Sequence, residues 1–178
     1  MLKEFVVRFD ARLTVAITGW PSWLRVPFLV VTTIGQPMVL VCFVVGVASA
    51  LIGQPVSMPI VYALGAGLTA MLINTTLKHF IHRPRPDTLY VSNMYFKSSS
   101  FPSGHAFGTM VIYGLLAYVT SKYLAAPLSS VLATAFAGLI ILIGVSRVYL
   151  GAHYPTDVLA GWAFGSVMLW LIIAVIAP

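Results

Sequence analysis

Three short stretches hold most of the polar chemistry this chain can offer: "KHFIHRPRP" at 78–86, "PSGH" at 102–105 and "SRVYLGAHYPTD" at 146–157. In the first, Lys78, Arg83 and Arg85 supply cations, and Pro84 and Pro86 stop a helix. Guanidinium forks match phosphate oxygens, although the same residues at the end of a membrane span also serve as snorkelling headgroup anchors. In the second, Ser103 suits an N-cap and Gly104 leaves backbone N–H groups open at a helix start, an arrangement that fits a bound anion as well as an ordinary cap. His105 follows in the first turn. In the third, Gly151 allows a turn, Pro155 suits the start of a helix, and Asp157 lies four residues after His153. A carboxylate in reach of an imidazole fixes its tautomer and orientation, as a nucleophile or base requires; a structural ion pair uses the same two residues.

The elements that must position these groups are membrane helices. The chain has 178 residues, 60% hydrophobic and 8% charged, with a mean hydropathy of +0.97, outside the range of soluble globular proteins. Residues 26–77, 98–121, 123–146 and 158–178 contain no Asp, Glu, Lys or Arg, and each run is long enough to cross a hydrocarbon core needing about 20 residues. The expected fold is an all-α polytopic bundle with spans at about 28–51, 58–80, 103–121, 128–147 and 157–177. Residues 1–178 read as a single membrane-embedded domain, with 1–25 as an interfacial segment and 28–177 as the transmembrane core. The charged start "MLKEFVVRFDARLTV" does not resemble a cleaved signal peptide. Cys42, the sole cysteine, is expected to be a packing residue.

Within residues 2–19, Glu4, Arg8 and Arg12 share one helical stripe while Phe5, Phe9, Leu13, Ala16 and Ile17 crowd the other side, which reads as an amphipathic helix on the membrane surface. Asp10 projects toward the apolar side; the expectation is that it caps a second helical segment starting at Ala11. Trp20 and Trp23 suit interface anchors.

Five crossings bring Lys78, His82, Arg83, Arg85, Ser103, His105, Arg147, His153 and Asp157 to one membrane surface, leaving only Lys122 among the charged residues on the other. Independent anchors would have no reason to gather three cations, a helix-start anion cradle, two histidines and a carboxylate. Asp87 is the only other acid nearby, too few for a paired divalent-metal site. Phosphate chemistry without a metal or cofactor is therefore expected. The net charge of +6 suits an anionic lipid or phosphate, since spans cannot present a basic groove to nucleic acid.

These residues resemble the type 2 phosphatidic acid phosphatase superfamily, which also includes vanadium haloperoxidases. Its signature is Lys, six residues, Arg-Pro; then Pro-Ser-Gly-His; then Ser-Arg, five residues, His, three residues, Asp. The chain matches all three parts in order, with Lys78 and Arg85-Pro86, Pro102-Ser103-Gly104-His105, and Ser146-Arg147 with His153 and Asp157. The resemblance implies that His153 forms a phosphohistidine, Asp157 orients it, and His105 protonates the leaving alcohol and later activates water. It further implies that Lys78, Arg85, Arg147, Ser103 and Gly104 hold the phosphoryl oxygens. His79, His82 and Arg83 lie outside the signature and are left as supporting or headgroup contacts.

The implied activity is phosphate removal from a membrane lipid: phosphatidic acid, phosphatidylglycerol phosphate or a polyprenyl (di)phosphate. A lipid phosphotransferase, a haloperoxidase and a non-catalytic lipid-phosphate carrier are the alternatives. The substrate loop is expected in 87–100, where Tyr90, Tyr95, Phe96 and Lys97 suit either the lining of a headgroup entrance or interface anchors, the latter being the expectation. An integral protein of the plasma or inner membrane is expected. The resemblance implies the outer face, where the family's bacterial membrane members generally work, whereas nine of ten Lys and Arg residues on the active-site side favour the cytoplasmic face under the positive-inside rule. Five of those nine belong to the polar clusters or their loop, so the outer face is the expectation.

Overall fold

In the computed structural model, residues 1–51, 57–94 and 98–176 are described. Their helices are α1 (Leu2–Thr18), α2 (Arg25–Ile34), α3 (Pro37–Leu51), α4 (Ser57–Phe80), the short α5 (Leu89–Ser92), α6 (Gly104–Tyr123), α7 (Leu128–Tyr149) and α8 (Pro155–Ile176). Pro37 and Pro155 open α3 and α8, where a missing N–H costs nothing. Ser103 caps α6, its hydroxyl accepting from the Ala106 N–H. Tyr95, Phe96 and Lys97, expected as anchors, lie outside the described residues, as do residues 52–56 between the first two expected spans.

α6 is the central helix and packs against α4, α7 and α8. Its Phe107, Val111, Ile112 and Leu115 form the core with Leu40 and Val44 of α3, Leu64 of α4, Ile140 and Ile143 of α7, and Ile172 of α8. Val167, Trp170 and Val175 on α8 point outward, as an apolar helix surface can where lipid is the solvent. Close approaches depend on glycine: a Cβ on Gly161 of α8 would stand 2.7 Å from the Ser103 carbonyl oxygen, and one on Gly144 of α7 would run into the Trp162 ring.

The expected span at 28–51 is broken. α2 and α3 meet at Gly35–Gln36, and their paired segments Ser22–Ile34 and Pro37–Gly46 bend by 48°. Pro37 forbids a continuous helix, and Gly35 lets the bend press against Ile143 and Thr109. Among the described residues, α7 and α8 are long and apolar enough to cross a membrane, and the bent pair makes a third if it counts as one span. Cys42, expected in the packing, is exposed on α3.

α1 is one unbroken helix, so Asp10 caps no second segment within it. Glu4, Arg8 and Arg12 are exposed as expected. Asp10 is 3% exposed because α1 packs across α7 and α8 and presents this carboxylate to Thr156 of α8 and to Arg83.

Candidate active site

The polar residues converge where α4, α6, α7 and α8 end on one side of the bundle. α7 closes with Arg147 in its last turn. The link to α8 turns at Gly151, whose φ of +70° favours glycine and whose missing side chain leaves room for Thr88. This turn delivers His153, 2% exposed, just before α8. Asp157 is in the first turn of α8 and accepts from the Tyr154 N–H at 2.9 Å, so the carboxylate sits at the positive end of that helix.

His153 is held on both ring nitrogens. Its Nδ1 lies 3.5 Å from Asp157 Oδ2, and Ser100 Oγ, 3.5 Å from the same nitrogen, donates to that carboxylate oxygen at 2.5 Å. Its Nε2 lies 3.1 Å from Arg85 Nη1. A guanidinium only donates, so Nε2 must present its lone pair and the ring proton must reside on Nδ1, facing Asp157. Burial pushes the imidazole down to about 3, with the charges of Arg147, Arg85 and Lys78 acting in the same direction and Asp157 opposing. His153 is therefore neutral at pH 7, with an available lone pair on Nε2.

The cations are held in place by backbone and hydroxyl oxygens. Arg85 donates to the carbonyls of Ser98 at 2.9 Å and Ala152 at 3.1 Å; burial lowers its pKa from the ordinary guanidinium value, leaving it charged at neutral pH. Lys78 Nζ donates to the Ser99 carbonyl at 3.0 Å. Arg147, 1% exposed, donates to Thr32 Oγ1 at 2.7 Å and Tyr90 OH at 3.1 Å, and its guanidinium stands 5.4 Å from the centre of the Tyr90 ring. α2 packs along α7, which brings Thr32 to Arg147. Tyr90, expected as an anchor, is instead tied to that arginine.

Lys78, Arg85, His105, Arg147, His153 and Asp157 thus share one region, in which Arg147, His153 and Asp157 are buried and Lys78, Arg85 and His105 half-buried. His105, in the first turn of α6, has Arg147, Arg85 and Lys78 as its charged neighbours, with His153 also close by. Its Nε2 is buried without a protein partner among the described residues. Ser103 donates its backbone N–H to the Asp157 carbonyl at 2.9 Å and is fully buried. At Gly104 a Cβ would lie 3.5 Å from Asn74 Nδ2 and 3.7 Å from Lys78 Cε, so α4 faces this turn closely. His79 and His82 are exposed.

Arg83 contributes more than its place outside the signature suggests. Its Nη1 donates to Asp157 Oδ1 at 2.6 Å and to Thr156 Oγ1 at 2.8 Å, and its Nη2 donates to Asp10 Oδ2 at 2.6 Å. Ser100, Thr32 and Asp10 are the other contributors that the sequence reading missed. Asp10 alone left a signal there, as an acid on the apolar side of an amphipathic helix.

Residues 59–177 match the model of the family described as the PAP2 superfamily. Phosphatidylglycerophosphatase B of Bacillus subtilis is 35% identical over an alignment covering 65% of each chain. Lipid A 1-phosphatase of Rhizobium johnstonii is 34% identical, with 53% of this chain and 38% of that protein covered. The chain therefore spans less than two thirds of the length of these curated relatives. The crystal structure described as the first transmembrane PAP2 type phosphatidylglycerolphosphate phosphatase, from Bacillus subtilis, superposes with a TM-score of 0.79 at 26% identity. The superposition covers 98% of this chain and 93% of that one.

Proposed function

The chain belongs to the PAP2 superfamily, and from that premise we propose that it is a membrane lipid phosphatase acting through a phosphohistidine. The observation that carries the proposal is buried His153, with Nε2 3.1 Å from the Arg85 guanidinium and Nδ1 toward the Asp157 carboxylate. Arg85 would bring a phosphoryl oxygen to the nitrogen lone pair it now faces, while Lys78 and Arg147 neutralise the remaining oxygens. Nε2 attacks phosphorus, the bond to the leaving oxygen breaks, and His105 gives that oxygen a proton. Water then attacks phosphorus, His105 takes a proton from it, and the P–N bond breaks to release phosphate and restore His153. Asp157 holds the imidazole and offsets the charge it gains.

The substrates that fit are phosphatidic acid, phosphatidylglycerol phosphate and polyprenyl (di)phosphates, whose chains stay in the bilayer while the phosphate reaches the ends of the helices. The similarity to a phosphatidylglycerophosphatase supports the second of these. We place residues 1–178 in one domain with five crossings, α2 and α3 forming the first as a bent pair, and the site on the outer face. The test is phosphate release in detergent from a panel of these lipids, in EDTA, by wild type and His153→Ala. Release by wild type alone is expected. Full release by His153→Ala sinks the proposal, and a phosphorylated acceptor in place of free phosphate would make the protein a phosphotransferase.

A further inference from the structure

Asp10 and Arg83 lie outside the PAP2 signature, yet they form a continuous charged bridge to Asp157. Asp10 Oδ2 accepts from Arg83 Nη2 at 2.6 Å and from Thr156 Oγ1 at 2.7 Å, and its Oδ1 accepts from the Thr156 N–H at 2.9 Å. Arg83 Nη1 then donates to Asp157 Oδ1 at 2.6 Å, leaving Oδ2 to Ser100, the Tyr154 N–H and the His153 side. Arg83 also lies 4.5 Å from the centre of the Tyr154 ring. A surface helix that served only as an anchor would gain nothing by burying a carboxylate at 3% exposure, since desolvating a charge is costly without partners. Here the partners are the guanidinium on Asp157 and the first turn of the helix that carries Asp157.

We propose that Asp10 and Arg83 are positioning residues of the reaction, with Arg83 fixing Asp157 against His153 and Asp10 of α1 balancing the charge that Arg83 brings. This proposal rests on the phosphatase mechanism above. Two consequences separate it from simple stitching of α1 to the bundle. Removing the Arg83 charge leaves Asp157 acting more strongly on His153, so the histidine protonates at higher pH. Removing the Asp10 charge leaves Arg83 uncompensated, so His153 protonates at lower pH. The other groups facing His153 stay the same in both cases: Asp157 on α8, Arg147 on α7, His105 on α6, Lys78 on α4, and Arg85.

The experiment is the pH profile of kcat for phosphate release by the full chain in detergent, for wild type, Arg83→Gln and Asp10→Asn. Thermal unfolding is recorded in parallel. The expected result is an acid limb moved up by about half a pH unit or more in Arg83→Gln and down by a similar amount in Asp10→Asn, the size of a charge acting over several ångströms at a partly solvated site. Arg83→Lys, which keeps the charge, should restore the wild-type limb. An unmoved limb in both neutral variants, or movement in the same direction, overturns the proposal while leaving an active wild type and the phosphatase function intact. If a neutral variant fails to fold, Asp10→Glu and Arg83→Lys are read instead. The bridge then requires reduced kcat with the wild-type limb, and unchanged kcat in both overturns it. A wild type that releases no phosphate from any lipid overturns the mechanism and the bridge together.

Discussion

Gly161 of α8 is where the backbone of one helix touches the start of another, and Gly161→Ala should damage catalysis more than stability. The new Cβ would stand 2.7 Å from the Ser103 carbonyl oxygen, 2.9 Å from Ala106 Cβ and 3.1 Å from the Phe107 nitrogen. Ordinary contacts of a carbon atom lie near 3.5–4.0 Å, so α6 and α8 must separate by roughly half an ångström or more. Two of the three atoms are backbone and cannot rotate away. Overpacking of this kind costs about 1–3 kcal/mol, and Ala returns about 1 kcal/mol through its better helix propensity. The net loss of stability should therefore stay under about 2 kcal/mol. The same displacement moves His105 relative to His153 and Asp157, and a shift approaching 1 Å costs on the order of 10²-fold in rate. Phosphate release should accordingly fall roughly 10- to 100-fold in protein that still melts cooperatively. Gly138→Ala on α7, where a Cβ would meet nothing within 4 Å, is the control and should keep wild-type activity. Wild-type kcat in Gly161→Ala would refute the claim that this contact sets the register of the two helices at the site.

Ser100→Ala removes a donor from buried Asp157 Oδ2. A hydrogen bond to a charged group is worth about 1.5–3 kcal/mol, so kcat should fall at least about tenfold with KM little changed, as steady-state kinetics would show. Tyr90→Phe removes the hydroxyl that Arg147 donates to; KM should rise a few-fold, consistent with about 1 kcal/mol for one hydrogen bond, and an unchanged KM would remove Tyr90 from phosphate binding. Acid should destabilise the fold through His153. Its folded value of about 3 lies below the ordinary 6.5, so the unfolded state binds the extra proton and stability is lost as pH falls from about 6.5 toward 3, by up to about 1 kcal/mol per pH unit. Thermal unfolding of wild type should show this loss, and His153→Gln should flatten the curve between pH 6 and pH 4.

The signature residues were legible because their chemistry is local in sequence. A cap, a turn and a His–Asp pair four residues apart read directly from "PSGH" and "AHYPTD", and helix ends then carry them to a common surface. The bridge was not legible, because Arg83 meets Asp10 across 73 positions and no periodicity announces such a pairing. Asp10 looked like a fault in an amphipathic pattern until α1 was seen packed across α7 and α8. Ser100 was hidden in the run "KSSS", where its neighbours look equivalent by type. The bend at Gly35–Gln36 was signalled by "GQP", but an uncharged run of 52 residues, 26–77, outweighed it in the span assignment. Hydropathy reports how much chain is apolar; Pro37 decides where the helix breaks.

The most direct test of the account is the fate of a labelled phosphoryl group. Wild type and His153→Ala would be mixed with a ³²P-labelled lipid phosphate and quenched in alkali within one turnover, with the label on protein counted and then challenged with acid. A phosphohistidine at His153 leaves label on wild type that survives alkali and is lost in acid, as a phosphoramidate should behave, and none on His153→Ala. Phosphate release at the wild-type rate by His153→Ala, or the same label on that variant, would contradict it.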